Sequence, residues 1–241
     1  MNDATTHQAL IVEPLGDRGL LLILGEGIDA QINGRVHQLA AALHQRALPG
    51  VHDLVPAYAT LAVHYDPTRW LQGEATPHAT LTAAIQQVWQ SLETEPPLAS
   101  RHLEIPVCYG GVFGPDLEDV AAHCGLSRGT VIDRHTAVEY RVFMLGFTPG
   151  FPYLGGLDPG LATPRRATPR PKVTAGSVGI AGKQTGIYSL DTPGGWQIIG
   201  RTPRRLFDAK AAEPCLLRPG DRLTFRAIDE AEYLRLSGDL A

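Results

Sequence analysis

The stretch Gly146–Gly156, GFTPGFPYLGG, constrains this chain more than any other. Proline locks φ and removes a backbone donor, whereas glycine reaches backbone regions that other residues avoid. Interleaved this closely, the two exclude a regular helix and argue against an inner strand. The expectation is a shaped loop that holds Phe147, Phe151, Tyr153 and some free amides in fixed places, or else a rigid corner of a β-barrel. Two later stretches have the same character, Ala175–Gly186 (AGSVGIAGKQTG) and Thr192–Pro203 (TPGGWQIIGRTP), and this recurrence favours a site.

The apolar pattern around these loops divides the chain in two. Leu10–Pro14 and Gly19–Leu24 read as strands joined by a tight turn at Gly16-Asp17-Arg18. Ile28–Arg46 has helical spacing (Ile28, Ile32, Val36, Leu39, Leu43) and is stopped by Pro49-Gly50. Val51–Val55 and Thr60–Tyr65 read as strands, and Pro77–Leu92 as a second amphipathic helix with Thr76 as its cap. The order predicts an α+β domain, two helices on an antiparallel sheet, over residues 1–95. The polar, proline-rich Glu93–Ser100 marks the boundary. Over residues 96–241, short strands between Gly/Pro turns predict a β-barrel or sandwich: Arg101–Tyr109, Glu139–Leu145, Lys172–Ala175, Val178–Ala181, Gly186–Ser189, Gln197–Gly200 and Arg222–Arg226.

Composition narrows the function. A formal net charge of −4 argues against nucleic acid or an anionic membrane as the main partner. Cys108, Cys124 and Cys215 are scattered without CxxC spacing, so neither a disulfide framework nor a metal site is expected. The opening residues show no basic segment followed by an apolar one, and no run is long enough to span a bilayer, so a soluble cytoplasmic protein is expected. Leu117–His135 imitates a DNA-reading helix-turn-helix, with Gly125 at the turn and Ser127 as a cap. Its flanks, Asp116, Glu118 and Asp119, carry the wrong sign for phosphate, so two short helices packed on a barrel is the preferred reading.

No GxSxG elbow, HExxH or Walker loop occurs. Gly176–Lys183 imitates part of the last, but Gln184 follows Lys183 and displaces the hydroxyl to Thr185. A Gly-rich strand pair is favoured there, and a complete ATP site on this chain is not expected. Candidate residues for chemistry lie in the Gly/Pro-rich half. Arg170, stiffened between Pro169 and Pro171, suits a two-pronged grip on a carboxylate, or belongs to a solvated basic loop with Arg165, Arg166 and Lys172. Gln184 and Ser177 are candidate hydrogen-bonding partners for an amide-like ligand. Tyr188 and Trp196 offer a flat wall, or core. His135 is a candidate for proton transfer, or a structural histidine. The central loop (Gly146, Phe147, Pro149, Gly150, Phe151, Tyr153) and Gly195 complete the candidate substrate-binding set.

His135, Tyr140, GFTPGFPYLGGL (Gly146–Leu157) and PRPKVTAGSVGIAGKQTGIYSLDTPGGWQIIGRTP (Pro169–Pro203) resemble the signature of the KipI/allophanate-hydrolase-subunit-1 family. GDRGLLLILG (Gly16–Gly25) matches the family's style too, so the resemblance covers nearly the whole chain. It implies an N-terminal α+β domain followed by a cyclophilin-like β-barrel. It further implies a partner with a homologous barrel. For chains of this size it implies membership of an ATP-dependent 5-oxoprolinase, which opens 5-oxo-L-proline to L-glutamate with its A and C subunits; the missing Walker loop is consistent with ATP being shared with or held by a partner subunit. Other members imply inhibition of a sensor histidine kinase, or a part in urea degradation in allophanate hydrolase or urea carboxylase.

Overall fold

The computed structural model describes residues 10–71, 73–92 and 100–238, and the chain divides into two compact units, Met1–Ala99 and Ser100–Ala241. The boundary expected after residue 95 falls within 93–99, outside the described residues.

The first unit runs β1 (Ile11–Pro14), β2 (Gly19–Ile23), α1 (Ala30–Arg46), β3 (Val51–Ala57), β4 (Thr60–Tyr65) and α2 (Pro77–Ser91). Its four strands form one antiparallel sheet in the order β1-β2-β4-β3. Side chains alternate across a strand, so β4 sends Leu61, Val63 and Tyr65 to one face and β2 sends Leu20 and Leu22. These gather in one cluster with Val36, Leu39 and Leu43 of α1 and Leu81, Ile85 and Val88 of α2. Both helices begin on capped amides. Asp29 accepts from the Gln31 and Ile32 N–H groups at 2.8 and 2.9 Å, and Thr76 accepts from Ala79 N–H at 3.2 Å with Pro77 in the first turn.

The second unit contains β5 (His102–Tyr109), α3 (Leu117–Cys124), α4 (Arg128–Thr136), β6 (Tyr140–Leu145), β7 (Pro152–Gly155), β8 (Arg170–Val173), β9 (Ser177–Ala181), β10 (Gln184–Ile187), β11 (Thr192–Gly194), β12 (Gln197–Arg201), β13 (Arg222–Ile228) and α5 (Glu230–Gly238). Seven strands close a barrel in the order β10-β7-β6-β13-β5-β12-β9, and β9 pairs back onto β10. Closure removes the sheet edges. The parallel seam joins the unit's first and last strands, from Arg222 opposite His102 to Ile228 opposite Cys108. Strands β8 and β11 form a separate two-stranded ribbon.

Half of the central Gly/Pro stretch departs from expectation. Gly146–Phe151 is a turn, but Pro152–Gly155 is an inner barrel strand, paired with β6 on one side and β10 on the other. The physical reason is position: Pro152 stands first in the strand, where its missing N–H interrupts the ladder least. Helix α5 is not among the expected elements. Gly176–Lys183 is the expected strand pair: β9 is buried along its whole length, and β9 and β10 turn through Gly182-Lys183. The helix-turn-helix imitation packs on the barrel. Leu117, Val120, Ala121 and Val131 join its core, and Gly125 ends α3 at φ 65. Ser127 caps α4 by accepting from Thr130 N–H at 3.1 Å.

Candidate functional site: an aromatic cleft on the barrel

The three Gly/Pro-rich stretches converge. A cleft of about 310 Å³ is walled by Phe147, Phe151, Tyr153, Tyr188 and Trp196. Its remaining lining comes from Arg165, Arg166, Pro169, Pro193, Gly194 and Gly195. The volume falls at the lower end of the range for small-molecule sites. Most of the rings meet edge to face, and Tyr153 is tilted against Phe151 at 59°. Phe151 lies 5.2 Å from Tyr188 and 5.5 Å from Trp196, at interplanar angles of 85° and 86°. That arrangement aligns ring quadrupoles favourably and fixes the walls. Burial pushes the Tyr188 hydroxyl above the usual phenol range, and the Trp196 backbone opposes that shift. Gly194 is required here, because a Cβ at that position would run into the Tyr188 hydroxyl and ring.

Phe147 forms the rim. It is 62% exposed and holds a left-handed backbone at φ 67, a combination an ordinary turn residue avoids. Strain of this kind concentrates at functional sites. Phe147 also borders a shallower depression with Gly146, Pro149, Gly150 and Cys215.

One edge of the cleft is braced by a buried carboxylate that the sequence did not single out. Asp116 is 1% exposed. It accepts from Arg166 Nη1 at 2.9 Å and from Arg170 Nη1 and Nη2 at 2.9 and 2.7 Å. It also accepts from the Ile198 backbone N–H at 2.6 Å. Arg170 is therefore committed to Asp116 and lies outside the cleft lining, which holds Arg166 instead. The bond to Asp116 holds the Arg170 guanidinium above its usual pKa. No spacing in the sequence announces this clamp, since Asp116 and Arg170 meet only through the tertiary fold.

His135 sits inside the barrel, fully buried, and lines neither the cleft nor the shallower depression. The Thr185 hydroxyl gives its proton to Gly179 O at 3.0 Å, so it accepts from His135 Nε2–H at 3.1 Å. Nδ1 then accepts from the Tyr109 hydroxyl at 2.8 Å. Phe225 stacks on the ring with centroids 4.6 Å apart. Burial pushes the imidazole down to about 3, so it is neutral. Its bonds and its enclosure belong to the barrel's interior.

The other candidates divide. Phe147, Phe151, Tyr153, Tyr188, Gly195 and Trp196 come together in the cleft, whereas Gly146, Pro149 and Gly150 border the shallower depression. Ser177 is buried at the start of β9, and Gln184 is half-buried at the hairpin that begins β10; neither lines the cleft. Burial pushes the Tyr153 hydroxyl above the usual phenol range, and the nearby Arg165 charge opposes that shift. Among the described residues no cluster of histidine, cysteine or acidic side chains could hold a metal ion, and no helix is long and apolar enough to cross a membrane.

Residues 10–217 match the family model of the carboxyltransferase domain, subdomain C and D. The chain is 46% identical to the B subunit of the 5-oxoprolinase of Bacillus subtilis, over 92% of this chain and 94% of that one. A crystallised protein 42% identical to it superposes with a TM-score of 0.76, covering 88% of this chain; this chain spans only 40% of that longer polypeptide. The urea amidolyase of Kluyveromyces lactis, 20% identical, shares the fold at a TM-score of 0.74 over 95% of this chain and 15% of its own. The chain belongs to the carboxyltransferase-domain family, subdomain C and D, in company with the 5-oxoprolinase B subunits.

Proposed function

We propose that this chain is the B subunit of an ATP-dependent 5-oxoprolinase, which opens the lactam of 5-oxo-L-proline to L-glutamate together with its A and C subunits. The observation that carries the reading is the 46% identity to the B subunit of the Bacillus subtilis enzyme over nearly the full length of both chains. The aromatic cleft supports it. Flat walls and an adjoining guanidinium suit a small planar ring that bears a carboxylate. We take the barrel to be cyclophilin-like and the complex to be cytoplasmic; three unbridged cysteines accord with a reducing compartment.

ATP is assigned to a partner subunit. The stretch that imitates a phosphate loop is the β9–β10 hairpin. Its main chain pairs with neighbouring strands, so it offers no open cradle of amides. This chain's contribution is to hold the lactam and shield it from water. We assign His135 to holding the barrel together, and Arg170 to bracing the cleft through Asp116. Gln184 and Ser177 act through the strands that carry the cleft.

The test is reconstitution with the A and C partners, measuring glutamate formed from 5-oxo-L-proline and ATP. Activity requires this chain; glutamate formation that persists when it is omitted rejects the reading.

A further inference from the structure

The loop between Ala162 and Pro169 is tied down at many points. Thr163 and Gly182 exchange both backbone hydrogen bonds, at 3.2 and 2.7 Å. The Gln197 side-chain amide donates to Pro164 O at 3.1 Å, and Arg166 N–H donates to Gly195 O at 2.8 Å. The Arg166 side chain is held by Asp116. Arg165 lies between these anchored neighbours. It lines the cleft and is exposed, and its charge is felt by both Tyr153 and Tyr188. It has no hydrogen-bond or ion-pair partner among the described residues.

We propose that Arg165 is the carboxylate-binding residue of the aromatic cleft, and that the cleft takes small planar carboxylic acids. This rests on the lactam reading for the identity of the natural ligand, but not for its chemical class. Availability of donors singles out this residue. Two guanidiniums near the cleft, Arg166 and Arg170, already direct donors to Asp116, whereas Arg165 keeps its planar fork of donors free. An anchored backbone lowers the ordering cost of gripping an anion. The ring of the acid would lie against Tyr188 and Trp196, while its carboxylate meets Arg165 at the mouth.

Calorimetric titration of the full chain, alone and with its partner subunits, tests this with three probes. 5-Oxo-L-proline carries ring and carboxylate, 2-pyrrolidinone the same lactam without the carboxylate, and benzoate a flat carboxylate without the lactam. The Arg165→Gln variant is expected to weaken 5-oxo-L-proline binding by about tenfold to a hundredfold, the range for a charge-assisted pair. It should leave 2-pyrrolidinone binding unchanged. Arg165→Lys, which keeps the charge and loses the fork, should fall between. Wild-type affinity for 5-oxo-L-proline in Arg165→Gln overturns the assignment even if the assembled complex hydrolyses the lactam. Benzoate binding that depends on Arg165, without 5-oxo-L-proline binding, supports the site and overturns the lactam reading instead. Failure of both acids to bind, alone and with partners, overturns the inference.

Discussion

In the sheet-and-helix unit the buried polar side chains among the described residues are Asn33 and His37, both on α1. In the barrel unit they are Asp116, His135, Thr163, Ser177, Thr185, Ser189, Thr202 and Asp221. The contrast follows from how each architecture satisfies its backbone. Two long helices bond internally, and the core facing them is apolar. The barrel is built of short strands and irregular loops, so side chains supplement the main-chain bonding both in the loops and within paired strands such as β9. Asp116 takes the Ile198 N–H, Asp221 takes the Arg218 N–H, Ser189 donates to Pro149 O and Thr185 to Gly179 O. The polar groups that brace the barrel also shape its cleft, as Asp116 does through Arg166.

The sharpest way to break this contrast is to remove Asp116. Asp116→Ala strands two arginines and the Ile198 amide, and roughly 3 kcal/mol of stability should be lost in denaturant unfolding. An apolar truncation in the first unit, Leu39→Ala, should cost about as much, by cavity formation. A loss below about 1 kcal/mol for Asp116→Ala would mean that the clamp does not hold the barrel.

The next effect is a pH dependence that the barrel carries through His135. Folded His135 stays neutral down to about 3, whereas an ordinary imidazole titrates near 6.5. Below pH 6.5 the unfolded chain therefore takes up a proton that the folded chain refuses. The contribution is present above that pH and lost as pH falls, by up to about 1.4 kcal/mol per pH unit. His135→Gln should flatten the stability profile in this window, and an unchanged slope would place the titrating group elsewhere.

A smaller effect concerns the rim. Phe147→Gly relieves the left-handed backbone but gives up the ring's contacts with Phe151 and Tyr188 and adds entropy to the unfolded chain, so stability should shift by less than about 1 kcal/mol, while 5-oxo-L-proline binding, on the proposed function, weakens as one aromatic face disappears. Binding that survives intact would place the ligand away from this rim. The smallest comparison asks whether the local rules are the same in both units. Asp29→Ala, at the start of α1, and Ser127→Ala, at the start of α4, should each cost about 1 kcal/mol. A large disparity would show that one helix start serves more than its own amides.

Much of this molecule is legible in its residues alone. Strands and helices of the first unit lie within a few residues of where periodicity puts them, because alternation and helical spacing are local properties of the chain. The turns at Gly/Pro positions are legible for the same reason, and the resemblance of the long motifs points to the family that the comparisons show. The aromatics could be named because each stands in or beside a Gly/Pro turn, but the sequence left wall and core undecided, and Phe151, Tyr188 and Trp196 are both: they line the cleft and are buried in one apolar cluster.

Contacts between distant residues are not legible. Whether Pro152–Gly155 is loop or strand depends on β6 and β10 lying to either side. Arg165 and Arg170 stand in one basic loop as sequence, and only Asp116, 54 residues before Arg170, decides which of them is occupied. His135 looks like any lone histidine until Tyr109 and Thr185 close around it. Local order follows from dihedral preference and apolar period, which a stretch of chain carries with it. The state of a charge or a hydrogen bond depends on what else has been excluded from water beside it, and that is settled only when the barrel closes.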